Sequence, residues 1–596
     1  MCGIVAIFNY LDSSKVDKSE LLRISDSMKS RGPDDSGVWI EDGIGLAHRR
    51  LSIIDVSKSG HQPMTLLDNS LRIVFNGEIY NYKEIRKNLE KKGFVFFTNS
   101  DTEVLLNLYK YKGRKMVDDI RGMYAFAIWD KNLRGLFLAR DPYGIKPLYY
   151  SDNGKVIRIA SQVKSLLAAN TIDKKYNPAG LVGFYLLGSI PEPFTMYEHI
   201  KPLRAGSVLW IDHRGVYEES FFSISKLLAR PYVNTHDDTE SNTKELTEIL
   251  SESISAHLIS DVPVGVFLSG GLDSATLTAH ASSCIDKIET ITLGFKELQG
   301  SVNDETLLAE SLAKYYKTEH NTIWIGRDDF RDEESKIFSA MDQPSIDGIN
   351  TYFVSKAASE LGLKVALSGI GGDEIFAGYP SFKQIPSIVN KLKIFKKSQF
   401  IGEAFRYISN PIFKKFSSTK YAGMLEYGHS YGGAYLLRRG LYMPWELYEV
   451  LDPEIVNEGL KRLGLISRFE GCMNNIDNER LKITALESTW YMKNQLLRDS
   501  DWAGMAHSLE IRTPLVDIKL LEKLIPLMHS SHPPGKINMA NTGEKKIPNH
   551  ILNRKKTGFT VPVNKWISEN KGNKGNNLKG WAEYILTEKF GIDAKG

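Results

Sequence analysis

Hydrophobic positions in residues 1 to about 215 fall in short apolar runs of strand character: IVAIF (4–8), GIGLAH (43–48), LRIVFNGEIYN (71–81), MYAFAIWD (123–130), GLFLARD (135–141) and SVLWI (207–211). Turn residues separate them, which predicts strands, and SDTEVLLNLYKYK (100–112) predicts a helix between them. This half therefore reads as an α+β domain of packed sheets. From 216 to 245 the apolar period fades into RPYVNTHDDTESNTKE, which predicts a linker. Beyond it apolar runs alternate with amphipathic ones. VGVFL (264–268) precedes LDSATLTAHASS (272–283), IETITLGF (288–295) precedes ETLLAESLAKYY (305–316), and TYFVSKAASELG (351–362) precedes KVALSG (364–369). Strands alternating with helices predict a parallel sheet covered on both faces, an α/β doubly wound domain with its ligands at the carboxyl ends of the strands.

Composition narrows the class. At 596 residues the chain exceeds what one core usually organises, so two or more domains are expected. Lys+Arg 76 against Asp+Glu 72 leaves a net charge of +4, too balanced to call for a nucleic-acid partner. Three cysteines with no CxxC fit a reduced, cytoplasmic setting. The most apolar stretch, LVGFYLLGSI (181–190), is too short for a membrane span. Basic and apolar residues interleave in 383–450, as in KLKIFKK and PIFKKFSS, and are read as solvated helices of an inserted subdomain. ENKGNKGNNLKG, within a tail at 569–596, has linker composition.

Two places carry candidate chemistry. The chain opens MCGIVAIF, and removal of Met1 would leave Cys2 with a thiol and a free α-amino group, a nucleophile beside its own base. The plainer reading makes Cys2 a small hydrophobe leading into a strand. At the end of the 264–268 run stands SGGLDS, Ser269 to Ser274, whose glycines and following helix suit an anion, most naturally phosphate. A simple helix cap by Asp273 or Ser274 is the alternative. The loop lacks the Gly-Lys-Ser/Thr ending of a γ-phosphate-transfer loop, and a second cluster, SGIGGDE (368–374), ends another apolar run. In one parallel sheet the two clusters would meet, and Asp273 and Asp373 could hold Mg²⁺ on phosphates.

VPVGVFLSGGLDSATLTA resembles the pyrophosphatase loop of enzymes that cleave ATP between its α and β phosphates. MCGI, RGPDDSG, AHRRLSIID, FNGEIYN, SDTE, RGMYAFAIWD and LARDPYGIKPLYY resemble the glutaminase domain of class II amidotransferases. In this order in one chain they resemble the glutamine-hydrolysing asparagine synthetase family, from Cys2 to about Trp566. The resemblance implies an N-terminal-nucleophile hydrolase sandwich (1–215), a linker (216–245) and an ATP-pyrophosphatase-type synthetase domain (246–568).

It also implies roles. Cys2 would attack the glutamine carboxamide, with the Asn76 amide and Gly77 N–H as the oxyanion site; an Asn-Gly hairpin turn is the structural alternative for FNGE. Arg50 would bind the glutamine α-carboxylate with backbone from Leu51, Ile53 and Ile54, while Glu78 and Asp101 would meet its ammonium group. Leu268 and Leu293 would flank the adenine of ATP, with Ser368 and Gly369 completing that pocket. Ser269, Gly270, Gly271, Asp273 and Ser274 would hold pyrophosphate, and Lys556 in RKKTGFTVP would reach the phosphates. Expected partners are small molecules: glutamine, ATP with Mg²⁺, and aspartate or another carboxylate. A homodimer is left open.

The chain departs from the family at one position. Typical members carry a glutamate where this chain has Ile370, so an acid/base and a polar anchor are missing from the amide-forming site. Either aspartate remains the acceptor, with Glu374 or a neighbour doing that work, or another carboxylate such as a uronic acid sugar takes its place. A glutaminase whose ATP domain only senses nucleotide is a further reading; the kept Asp273, Asp373 and Lys556 speak against it.

Overall fold

A computed structural model of the chain describes residues 2–232, 239–397, 399–416, 418–554, 566 and 578–592. Its first half holds twelve strands: β1 (Gly3–Phe8), β2 (Asp35–Glu41), β3 (Ile44–Arg50), β4 (Met64–Thr65), β5 (Leu71–Ile79), β6 (Gly122–Asp130), β7 (Gly135–Arg140), β8 (Tyr149–Asp152), β9 (Ile157–Ala160), β10 (Lys201–Pro202), β11 (Ser207–Asp212) and β12 (Gly215–Ser220). They form two six-stranded sheets, ordered β10-β8-β9-β1-β3-β2 and β12-β11-β7-β6-β5-β4. Every pairing in them is antiparallel.

The sheets stack face to face. Ile4, Ala6 and Phe8 of β1 meet Val74, Ala125, Ala127 and Leu138 between the sheets, while Val5 and Ile7 turn outward onto Leu21 and Ile24 of the helix Lys18–Asp26. A strand covered on both faces reads as an unbroken apolar run, so IVAIF shows no alternation.

The second half is built on β13 (Val264–Phe267), β14 (Glu289–Phe295), β15 (Glu319–Ile325), β16 (Val365–Leu367) and β17 (Glu510–Arg512). They make one parallel sheet, ordered β15-β14-β13-β16-β17. The order turns at β13, between β14 and β16, which is where a doubly wound sheet opens a crevice. Both glycine clusters start at that point.

Three expectations change. The stretch predicted as linker from 216 opens with β12, paired along β11, and continues into a short helix, Ile224–Leu228, so the second sheet runs to Ser220. Its exposed edge position removed the apolar alternation that would have revealed it. The segment read as tail includes the helix Leu578–Tyr584, whose Trp581 is buried and donates its indole N–H to the Ile346 carbonyl at 3.0 Å. Lastly, the helix Gln399–Phe416 leaves Phe400 81% and Tyr407 82% exposed, so its outer face is apolar, not solvated charge. Among the described residues no helix is long and apolar enough to cross a membrane.

Candidate active sites

Cys2 immediately precedes β1, at the seam between the halves. It is buried, and its backbone N–H donates to Asn76 Oδ1 at 2.8 Å. That bond fixes the Asn76 amide and leaves its Nδ2 buried without an acceptor, an N–H donor held ready beside the thiol. Burial pushes the Cys2 thiol above its ordinary pKa, opposed by the Leu51 backbone N–H and the Arg50 charge. Asn76 and Gly77 lie inside β5 and pair with Ala125 and Tyr124, so FNGE is strand and not the hairpin turn its Asn-Gly pair suggested. A Cβ at Gly77 would stand 2.1 Å from the Met123 carbonyl oxygen, which explains a glycine in mid-strand.

Arg50 ends β3. Its guanidinium donates to the Ser57 carbonyl at 3.0 Å and the Ile54 carbonyl at 3.2 Å, so the turn after β3 aims it. Leu51, Ile53 and Ile54 form that buried turn. Glu78 follows Gly77, and Asp101 opens the helix Asp101–Lys112 with Oδ2 accepting from the Ile79 N–H at 3.2 Å. Burial, then the nearby Glu510 charge, raises the Glu78 carboxyl well above its ordinary range. Burial pushes Asp101 up to about 7. Carboxyls raised by burial suit a pocket that ionises when an ammonium group enters. Of the glutaminase candidates, Asn76 bonds Cys2 and the Leu51 backbone and Arg50 charge act on its thiol; Gly77 and Glu78 follow Asn76 in β5, where Asp101 bonds the next residue, Ile79.

The seam itself is charged. Arg31 donates through Nε to the Cys2 carbonyl at 3.1 Å and clasps Asp501 of the second half with bonds of 2.7 and 2.9 Å, its own side chain fully buried. Burial works against the Arg31 charge, yet Asp501 more than offsets it and the pKa rises. Arg512, on β17, pairs with Glu510 at 2.7 Å and approaches Glu78 to 3.5 Å. Its own carbonyl accepts from the Ser368 N–H at 2.8 Å, at the start of the SGIGGDE loop. One residue therefore touches both candidate sites.

In the second half, SGGLDS follows β13. Gly271 is the N-cap residue of the helix Leu272–Cys284, with no side-chain cap, so the capping alternative for Asp273 or Ser274 does not hold. Ser269 and Ser274 hydroxyls lie 3.0 Å apart, closing the loop on itself. The clusters interlock: a Cβ on Gly372 would meet Asp273 Oδ1 at 2.3 Å, and one on Gly369 would meet Asp273 Cβ at 2.7 Å. Asp273 and Asp373 converge on the ammonium of Lys536, which pairs with both, with Asp373 at 2.9 Å. Leu268 follows β13 and Leu293 lies in the carboxyl half of the adjacent β14, both buried, and Ser368 with Gly369 follows β16 on the other side of β13. Lys556 lies outside the described residues. Glu374 accepts from the Tyr379 hydroxyl at 2.9 Å, and burial next to Asp373 pushes its pKa up to about 7. Ile370 is half-buried against the apolar core.

Sequence reasoning missed Arg31, Asp501, Glu510, Arg512 and Lys536. RGPDDSG flagged the neighbourhood of Arg31, but a pairing across hundreds of positions, such as that of Arg31 with Asp501, leaves no local signal. Lys536, alone in PPGKINMA, gave none at all.

Two family profiles match the chain: a glutamine amidotransferase domain over residues 1–222 and asparagine synthase over residues 245–589. Asparagine synthetase [glutamine-hydrolyzing] 1 of Bacillus subtilis is 33% identical, covering 99% of this chain and 90% of that protein. Asparagine synthetase [glutamine-hydrolyzing] 3 of the same organism is 29% identical over 97% of this chain and 91% of its own length. Escherichia coli asparagine synthetase B [glutamine-hydrolyzing] is 31% identical over 65% of this chain and 66% of its own.

Proposed function

Because this chain belongs to the asparagine synthase family, and carries the glutamine amidotransferase domain ahead of the synthase domain, we propose that it moves the amide nitrogen of glutamine onto an ATP-activated carboxylate. The observation that carries this reading is the buried seam joining the two sites, Arg31 between Cys2 and Asp501 and Arg512 between Glu78 and Ser368.

In the glutaminase half the Cys2 thiol attacks the carboxamide carbon and the freed α-amino group takes the thiol proton. The unpaired Asn76 Nδ2 and the Gly77 N–H stabilise the oxyanion, Arg50 holds the α-carboxylate, and Glu78 with Asp101 meets the ammonium. In the synthetase half Ser269, Gly270, Gly271, Asp273 and Ser274 hold the pyrophosphate portion of ATP, and Lys556 reaches the phosphates. Asp273 and Asp373 fit Mg²⁺, which takes one or two carboxylates plus substrate phosphates, and Lys536 supports that assignment by pairing a cation with the same two groups. That ion would neutralise phosphate charge. The acceptor carboxylate becomes an acyl adenylate, and ammonia made at Cys2 replaces AMP. Delivery inside the protein matters because free ammonia at neutral pH is almost all ammonium, which is not a nucleophile. L-Aspartate is the acceptor the relatives' names point to; Ile370 is what favours a different carboxylate.

We read residues 1–222 as the glutaminase unit and 245–589 as the synthetase unit, in a cytoplasmic enzyme. The test is product identity. Cys2→Ala should lose glutamine-dependent formation of AMP and pyrophosphate and keep the ammonia-dependent reaction, with Mg²⁺ required for both. Stoichiometric ADP and phosphate would overturn adenylation.

A further inference from the structure

A cavity of about 480 Å³ lies where the halves join, lined by side chains to which no step above gives a role. Leu187 and Ser189 come from the first half, Asp347 from the DQPSIDGINTYF segment, and Trp490, Tyr491 and Gln495 from the π-helical stretch Glu487–Leu497. Arg439 is its inner wall. The guanidinium is packed 3.9 Å from the Tyr491 ring centre and 4.4 Å from that of Tyr379, and is paired with Glu487 at 2.9 Å. On the far side the Tyr379 hydroxyl bonds Glu374, next to Asp373. Arg439, Tyr379 and Glu374 therefore tie one wall of the cavity to the SGIGGDE loop.

The geometry points to this cavity as the acceptor site and to its occupant as a sugar-sized carboxylate carrying a phosphate-type anion, which rests on the amidation reading above. Volume is the first reason: cavities of roughly 300–1,000 Å³ hold ligands of drug size, far larger than aspartate. Charge is the second. Lys420 and Arg438 line the cavity, and among the described residues neither forms an ion pair; Glu446, the carboxylate whose charge reaches Lys420, is itself paired with Lys579 at 2.7 Å. Burial and the neighbouring Arg438 and Lys579 charges push Lys420 down to about 8, the state of a cation short of a counter-ion. Asp347 also lines the cavity but, among the described residues, pairs with neither cation, and burial raises its pKa. A phosphate would pair with Lys420 and Arg438 together. Surface is the third reason. Trp490, Tyr491 and Trp581 present aromatic rings, and Ser189 and Gln495 present hydrogen-bonding groups, the mixture that a hydroxylated ring requires.

The experiment supplies ammonia, ATP and Mg²⁺ and measures pyrophosphate release with L-aspartate, glucuronic acid, glucuronic acid 1-phosphate, UDP-glucuronic acid and, as a control without carboxylate, UDP-glucose. Binding of UDP-glucuronic acid is followed separately by calorimetry without ATP. We expect release with the phosphorylated uronates, with kcat/KM at least about tenfold above aspartate. Lys420→Ala and Arg438→Ala should each raise their KM about tenfold or more, the scale of a lost charged hydrogen bond. Glutamate release from glutamine in the same variants reports folding. Saturable release with aspartate and indifference to the uronates would overturn the proposal and leave the amidation reading intact. Failure of every carboxylate to release pyrophosphate would count against the amidation reading, and absence of UDP-glucuronic acid binding would then overturn the proposal by itself.

Discussion

Asp501 belongs to the synthetase half, yet its loss should disable glutamine hydrolysis. Arg31 is fully buried, clasped by Asp501 through two bonds of 2.7 and 2.9 Å, and its Nε holds the Cys2 carbonyl at 3.1 Å. In Asp501→Ala the guanidinium stays charged, because arginine does not deprotonate in proteins, and it loses both bonds to its paired carboxylate, keeping only the more distant charge of Asp342. Removing one partner of a buried pair costs about 3–5 kcal/mol. The protein can recover part of that only by letting Arg31 swing to water, which withdraws the donor from Cys2. A nucleophile displaced by about 1 Å loses on the order of 100-fold in rate. Glutamate release from glutamine without ATP should fall by about that factor, and the first thermal unfolding event should move down. Arg31→Met with Asp501→Leu separates the two effects. An apolar pair of similar volume should restore the unfolding temperature, as buried pairs often allow, while hydrolysis stays low because the Cys2 carbonyl still lacks its donor. Full hydrolysis in Asp501→Ala would refute the reasoning, and so would recovery of hydrolysis in the double variant.

Glutamine should bind more tightly as pH rises from 6 to 8, since Asp101, raised to about 7 by burial, must ionise to meet the ammonium; calorimetry on Cys2→Ala in two buffers should count protons released, and a pH-independent affinity would count against it. The same group makes the empty enzyme less stable over a lower window: above about pH 4 the unfolded chain has lost a proton that the folded state keeps, so stability falls until pH passes about 7. Asn76→Ala should cost about 100- to 1,000-fold in glutaminase kcat with a smaller change in KM, as for loss of one oxyanion donor. Asp273→Asn should abolish AMP and pyrophosphate formation while glutamine hydrolysis persists, and Lys536→Met should raise the ATP KM, because Asp273 and Asp373 then repel each other without a cation between them.

Architecture was legible where burial was two-sided. β1, β5, β6 and β13 read as apolar runs because both faces are covered, and the alternation of strand and helix after 264 announced the parallel sheet. β12 and β15 were missed for the opposite reason: each is a sheet edge with half-exposed positions, and EHNTIWI carries no clear period. The candidate site divides the same way. Cys2, Asn76, Asp273 and Asp373 were visible because each sits in a short contiguous motif, whereas Arg512 matters through where its strand lands.

That landing point has a physical consequence. A free-standing β17 would need only apolar residues to add to β16, yet it carries Glu510 and Arg512, both fully buried. Burying such a pair gains little stability by itself, so packing is a poor reason for it. Arg512 instead spends its donors on Glu510 of its own strand, on the His257 carbonyl at 2.8 Å and, across the seam, toward Glu78, while its carbonyl anchors Ser368. On the proposed role of Glu78, an entering glutamine ammonium would give it a second cation to share and would weaken the Arg512–Glu78 attraction. Because Arg512 also fixes the first amide of the SGIGGDE loop, that change would reach the nucleotide site without any large motion. Linkage then requires the reverse: an ATP-loaded loop that holds Arg512 in place must alter glutamine affinity by the same factor.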